Sequence, residues 1–198
     1  LLSAFTNRAV DNALEAVRDR GVAGVARVGT EHGVREDMLD VRLEQGGDPN
    51  ERAAALRDAA VVAATTSTCG SRVMREQSFD VALVDEASQL TEPGTLAAVS
   101  RADRFVLVGD HEQLPPVVQA NGAPRASESP SSAEPADGRP AEPHDDGHEP
   151  RADLHTSLFE RLIHTVPEAS VLLDRQYRMA QRIQAFSSRE FYDGALRP

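Results

Sequence analysis

The chain has 198 residues, 40% of them apolar and 27% charged, with a formal net charge of −11 at pH 7. That apolar fraction suffices for one domain or one and a fraction, and it excludes a wholly disordered chain. The charge argues against a generic polyanion binder, because non-specific nucleic-acid affinity comes largely from neutralising phosphates.

With six Phe, two Tyr and no Trp, the core has to be built mainly of Val, Leu and Ala. The single cysteine, Cys69, excludes an internal disulfide and a multi-cysteine metal site, in keeping with a reducing compartment. No stretch approaches membrane-spanning length and no charged-then-apolar leader opens the chain, so a soluble, cytoplasmic protein is expected. All 21 basic residues are arginine. Without lysine, the phosphate-binding loop G-x-x-x-x-G-K-[ST] is impossible in this sequence. A start at Leu1, with a motif within a few residues, suggests a piece of a longer protein.

Residues 6–20 read as a helix, since Ala9, Val10, Ala13, Leu14 and Val17 share a face and Gly21 stops it. Residues 22–28 suit a strand. The charged stretch 29–50 is expected to loop, with a short helix around 35–43. Asp48-Pro49-Asn50 is a helix start signal, and 51–58 follows it as a helix. A β-branched strand over 59–65 runs into Thr65-Thr66-Ser67-Thr68-Cys69-Gly70, a polar loop at a strand edge. Strands at 81–84 and 105–108 follow, separated by a helix over 93–100. Such alternation indicates a parallel sheet with crossover helices, an α/β fold.

Both of these last strands end abruptly in polar residues: Val81-Ala82-Leu83-Val84 in Asp85-Glu86-Ala87-Ser88-Gln89, and Phe105-Val106-Leu107-Val108 in Gly109-Asp110-His111-Glu112-Gln113-Leu114-Pro115-Pro116. Buried parallel strands deliver their C-terminal edge to a site. Adjacent carboxylates there supply one hard oxygen ligand for Mg²⁺ and one base to orient water, the needs of a nucleotide triphosphatase. Two like charges side by side call for a compensating cation or polar shell. Gln113 offers an uncharged amide able to contact phosphate.

From 121 to 153 there are six prolines and not one Val, Ile, Leu, Met, Phe or Tyr. Such a segment buries too little apolar area to offset its ordering entropy, so a disordered acidic insertion is expected. His144 and His148 inside it read as solvated loop residues, not as a metal site. Beyond it, 157–163 is a helix with a Ser or Thr cap, 171–173 a strand, and 177–192 carries helical spacing through Met179, Ile183 and Phe186.

Asp-Glu-Ala-Ser-Gln followed by Gly-Asp-His-Glu-Gln-Leu-Pro-Pro-Val resembles motifs II and III of superfamily 1 helicases. The resemblance is to the Upf1-like branch, which includes the nonsense-mediated-decay RNA helicase and the replication nuclease-helicase. Thr6-Asn7-Arg8-Ala9-Val10-Asp11-Asn12 resembles motif Ia, and 65–70 the threonine-rich motif before the Walker B strand. Ser157-Leu158-Phe159-Glu160-Arg161-Leu162, Leu173-Asp174-Arg175-Gln176-Tyr177-Arg178-Met179 and Phe186 to Gly194 are similar to the family's entry into its second motor domain. Ala180-Gln181 stands where family members usually have His-Pro.

The resemblance implies a RecA-like fold of P-loop NTPase type, with 1–120 and 154–168 in the first domain and 169–198 opening a second. It implies ATP and Mg²⁺ as cofactors and single-stranded DNA or RNA as track, followed 5′ to 3′ by a monomer joined to the remainder of its helicase chain. Asp85 would hold Mg²⁺, Glu86 would orient the attacking water, Gln113 would sense the γ-phosphate and Arg178 would reach it as an arginine finger. Tyr177 would stack on adenine, with Gly109, Asp110 and Gln89 lining the nucleotide. Thr6, Asn7, Thr65 and Thr66 would face the nucleic acid or serve as caps. Motif I is missing, so residues 1–198 alone are not expected to hydrolyse ATP at a helicase-like rate. A non-catalytic helicase-like binding module, and a carboxylate metal nuclease using Asp85, Glu86 and Asp110, are the alternatives.

Overall fold

Residues 1–43, 48–116, 118 and 155–198 are described by a computed structural model. Among them β1 (Leu2–Ala4) leads into α1 (Asn7–Asp19), followed by β2 (Val25–Val28). Two 3-10 turns, Glu31–Gly33 and Glu36–Val41, and the short β3 (Arg42–Leu43) come next, where a short helix was expected. Then follow α2 (Pro49–Asp58), β4 (Val61–Thr65), α3 (Thr66–Cys69), α4 (Arg72–Arg75), β5 (Phe79–Asp85), α5 (Glu92–Val99) and β6 (Ala102–Leu107). All six strands form one parallel sheet in the order β3-β2-β4-β1-β5-β6. The expected α/β architecture with crossover helices is therefore present.

The pleat explains the two-sided core. Along β4, Val62 and Ala64 join one cluster with Leu56, Met74, Val84 and Leu90. Ala63 points the other way, to Leu2, Val10, Leu14 and Met38. Successive strand residues face opposite sides, so a sheet covered on both faces reads as a continuous apolar run. α1 covers the second face with Val10 and Leu14, and its first turn is closed by Thr6, whose hydroxyl accepts from the Ala9 N–H at 3.2 Å.

The expected loop at 65–70 is instead a capped helical turn. Thr65 takes the Thr68 N–H on its own hydroxyl, and a Thr/Ser run that looks like loop becomes α3 once that cap closes.

α6 (Leu158–Thr165) begins at Ser157, whose hydroxyl accepts from Glu160 N–H at 3.0 Å. Leu158 is buried and Phe159 joins the first core cluster, while Arg161 reaches Glu92 of α5 at 2.6 Å. The expected strand over 171–173 is absent: Val171 and Leu173 are 85% and 76% exposed in irregular chain that no neighbouring described strand pairs. α7 (Gln181–Phe191) starts four residues later than the helical spacing from Tyr177 implied. The reason is Gln176, whose side chain accepts from the Arg178 and Met179 N–H groups and donates to the Met179 carbonyl, fixing a turn where a helix would start. After α7 the chain reverses, and Arg197 bridges to Arg175. Among the described residues no helix is long and apolar enough to cross a membrane.

Candidate active-site edge

Ala4 lies level with Thr65 on one side and Asp85 on the other. The chain therefore leaves β1, β4 and β5 at one edge, and the loop after β6 joins them, since the Ala87 N–H bonds to the Val108 carbonyl at 2.8 Å. Asp85 keeps one oxygen, Oδ1, on the Glu86 N–H at 3.0 Å; among the described residues no protein donor reaches the other. Glu86 has φ 55° and ψ 34°, a left-handed conformation uncommon for a side-chain-bearing residue. Its carboxylate projects at the edge, exposed, and is steadied by Gln89 Nε2 at 2.9 Å.

Gly109 is required where the two strand exits meet. A Cβ there would lie 2.9 Å from the Ser88 nitrogen, closer than real Cβ contacts come. The Asp110 N–H then donates to Ser88 Oγ at 3.1 Å. Gln113 sits beyond, its Nε2 donating to Asp110 Oδ2 at 2.8 Å. The structure thus brings Asp85, Glu86, Gln89, Gly109, Asp110 and Gln113 into one hydrogen-bonded edge.

Sequence reasoning missed two members of this edge. Ser88 is one, and the other is Tyr192 after α7, whose hydroxyl donates to Asp110 Oδ2 at 2.5 Å. Burial, and then that bond, push the Tyr192 ionisation up to about 12. Tyr192 falls within the Phe186 to Gly194 stretch, but its partner Asp110 lies 82 residues away, so no local pattern announces the bond.

Along the β1 and β4 exits the side chains are held internally. Thr6 caps α1, Thr65 Oγ1 lies 2.9 Å from Thr68 Oγ1, and Thr66 is buried. Asn7 is exposed, but its Oδ1 accepts from Arg27 Nη2 at 2.9 Å and its Nδ2 lies close against Gly33. Arg27 is itself buried against Asp11 of α1 at 2.6 Å, a pair that an acid on the helix's apolar face could have announced. Beside these exits lies a shallow cleft of about 260 Å³ lined by Phe5, Thr66, Ser67, Gln89, Thr91 and Gly94, among others.

Tyr177 and Arg178 are not brought into the edge. Tyr177 is 86% exposed, and among the described residues no hydrogen bond or ion pair ties either side chain to it.

Among the described residues no group of three or more His, Cys, Asp or Glu could cage a metal. A single carboxylate with a free oxygen nevertheless suits Mg²⁺, which is commonly held by one or two carboxylates plus phosphate oxygens and water. The sequence has no lysine, so the phosphate-cradling lysine of a P-loop is not among its residues.

The six-stranded parallel sheet with crossover helices on both faces and carboxylates at its C-terminal edge has the architecture of a RecA-like, P-loop type fold. Two AAA domain models match the chain, over residues 42–121 and 154–198. The DNA replication ATP-dependent helicase/nuclease DNA2 of Xenopus laevis is 33% identical over 202 residues, covering 99% of this chain and 16% of that protein. An uncharacterized ATP-dependent helicase of Methanocaldococcus jannaschii is 32% identical over 142 residues, 72% of this chain and 17% of its own. The mouse 5′-3′ DNA helicase ZGRF1 is 28% identical over 231 residues, 99% of this chain and 11% of its own. The chain belongs to the superfamily 1 helicases, in the DNA2-like branch. It spans less than a fifth of the length of these curated relatives.

Proposed function

We propose that the chain supplies the hydrolytic edge of an ATP-driven helicase that moves along single-stranded nucleic acid. The observation that carries this is the joined edge itself: Asp85 with a free oxygen, Glu86 projected by a left-handed backbone, and Gln113 anchored beside them. Asp85 would hold Mg²⁺ together with ATP phosphates, and the ion would supply charge neutralisation on those phosphates. Glu86, steadied by Gln89, orients the attacking water. Gly109 lets the β6 exit come close to the nucleotide side, and Asp110 holds Gln113 beside it until the amide turns to the γ-phosphate.

Arg178 and Tyr177, exposed in this arrangement, reach the nucleotide as arginine finger and adenine platform when the two motor domains close. The β1 and β4 exits that carry Thr6, Asn7, Thr65 and Thr66 face the track, with Thr6 and Asn7 their exposed members. Residues 1–120 and 154–168 form the first RecA-like domain and 169–198 open the second, with 121–153 an insertion between them. Relatives named as DNA helicases favour DNA as the polymer and 5′ to 3′ as the direction. The protein works in the cytoplasmic compartment as a monomer.

The nuclease alternative is disfavoured because Asp110, its third carboxylate, is already taken up by Tyr192, Gln113 and the Glu112 N–H. The test is Glu86→Gln in the intact protein: strand-stimulated ATP turnover falls by about 100-fold or more while nucleotide binding is retained. Turnover within a few-fold of wild type removes the water-orienting role.

A further inference from the structure

We propose that Tyr192 is a positioning residue for Gln113, acting through Asp110. This rests on the reading above that Gln113 serves the nucleotide. Asp110 is where three parts of the chain meet. Its Oδ2 receives the Tyr192 hydroxyl at 2.5 Å and Gln113 Nε2 at 2.8 Å, its Oδ1 receives the Glu112 N–H at 3.1 Å, and its own N–H is given to Ser88 Oγ. A carboxylate only accepts, so the amide nitrogen of Gln113 is the end that is held, with the Tyr192 hydroxyl also within hydrogen-bonding reach of the Gln113 side chain, and Oε1 is the end left to face a water or another donor. Turning Nε2 to a phosphate oxygen requires Gln113 to leave Asp110. Tyr192 then still satisfies Oδ2, so the carboxylate is not stranded and keeps its place.

Tyr192 is fit for the task because its own backbone is pinned. It ends α7 and precedes Asp193 and Gly194, both left-handed at φ 51° and 77°. The Gly194 N–H bonds to the Ser188 carbonyl at 2.8 Å, and Gln184 Nε2 holds the Leu196 carbonyl at 2.6 Å. The hydroxyl, half-buried and neutral up to strongly alkaline pH, is a lasting donor. Through this bond a displacement of α7 relative to the sheet is felt at Gln113, a contact from one part of the chain to another 82 residues away.

The experiment is a double-mutant cycle in the intact protein with Tyr192→Phe, Gln113→Ala and the pair, a set that removes the hydroxyl while keeping the ring. Two readouts are taken: ATP turnover at saturating single-stranded DNA, and amide hydrogen exchange at Asp110, Glu112 and Gln113. Tyr192→Phe is expected to lower kcat about tenfold with KM for ATP within about twofold, to speed exchange at those amides, and to add nothing to Gln113→Ala. Exchange unchanged from wild type, or losses that add in the double variant, overturn the proposal. Should wild type show no DNA-stimulated turnover, the helicase reading falls, and the exchange result alone upholds or overturns the tie.

Discussion

Two charged constellations in this chain are built in opposite ways. The Asp11–Arg27 pair between α1 and β2 is closed: both residues are at most 1% exposed. Arg27 directs Nε to Asp11, Nη1 to the Val28 carbonyl and Nη2 to Asn7, while the second Asp11 oxygen takes the Arg35 N–H. Asp85 and Glu86 are open: each carboxylate has a single protein donor among the described residues and meets solvent. A buried charge persists only when its hydrogen-bonding capacity is filled, whereas a reactive or metal-binding carboxylate must keep some of it unfilled. The difference separates carboxylates that hold the sheet's edge in shape from those available to act there.

The closed pair breaks hardest. Arg27→Met leaves Asp11 buried without its partner and is expected to destabilise the protein by about 3–5 kcal/mol in urea unfolding. Converting both, Asp11→Leu with Arg27→Met, recovers most of that loss, because the desolvated charge is gone. If the single change has little effect, the pair is not closed in the sense argued.

The open edge yields less to a packing change. Gly109→Ala forces a methyl against the Ser88 nitrogen and is expected to lose about 1–3 kcal/mol, read as a lower denaturation midpoint at unchanged slope. A midpoint equal to wild type shows that the β6 exit is free to move. The smallest effect sits between the two regions. Thr6→Ala removes the α1 cap beside Asn7 and is expected to lose about 1 kcal/mol in the same assay.

Much of the sheet was legible because it is local. The face shared by Val10 and Leu14, the caps at Asp48 and Ser157, and the apolar runs ending at Asp85 and Val108 are all short-range patterns. The run at 171–173 shows the limit: Val-Leu-Leu has strand character, but a strand exists only with a partner, and hydropathy does not reveal whether one is present. Thr65 to Cys69 erred the other way, since one hydroxyl decided between loop and helix. Of the hydrogen-bonded edge, Asp85, Glu86 and Gln113 could be placed by position after a strand. Ser88 and Tyr192 could not, because their importance lies in bonds to Asp110 across long sequence separations. Nor does a glutamate's chemistry foretell a positive φ at Glu86, which stands where the β5 and β6 exits come close.

That backbone has a consequence for how the protein is able to change. A glycine at position 86 would relax the left-handed turn, so the variant that loses the acid gains ease of folding. Selection for thermal robustness alone would therefore favour glycine here, and the water-orienting role proposed for Glu86 is what would oppose it. At Glu86 the fold accepts a side chain on backbone that glycine adopts more readily.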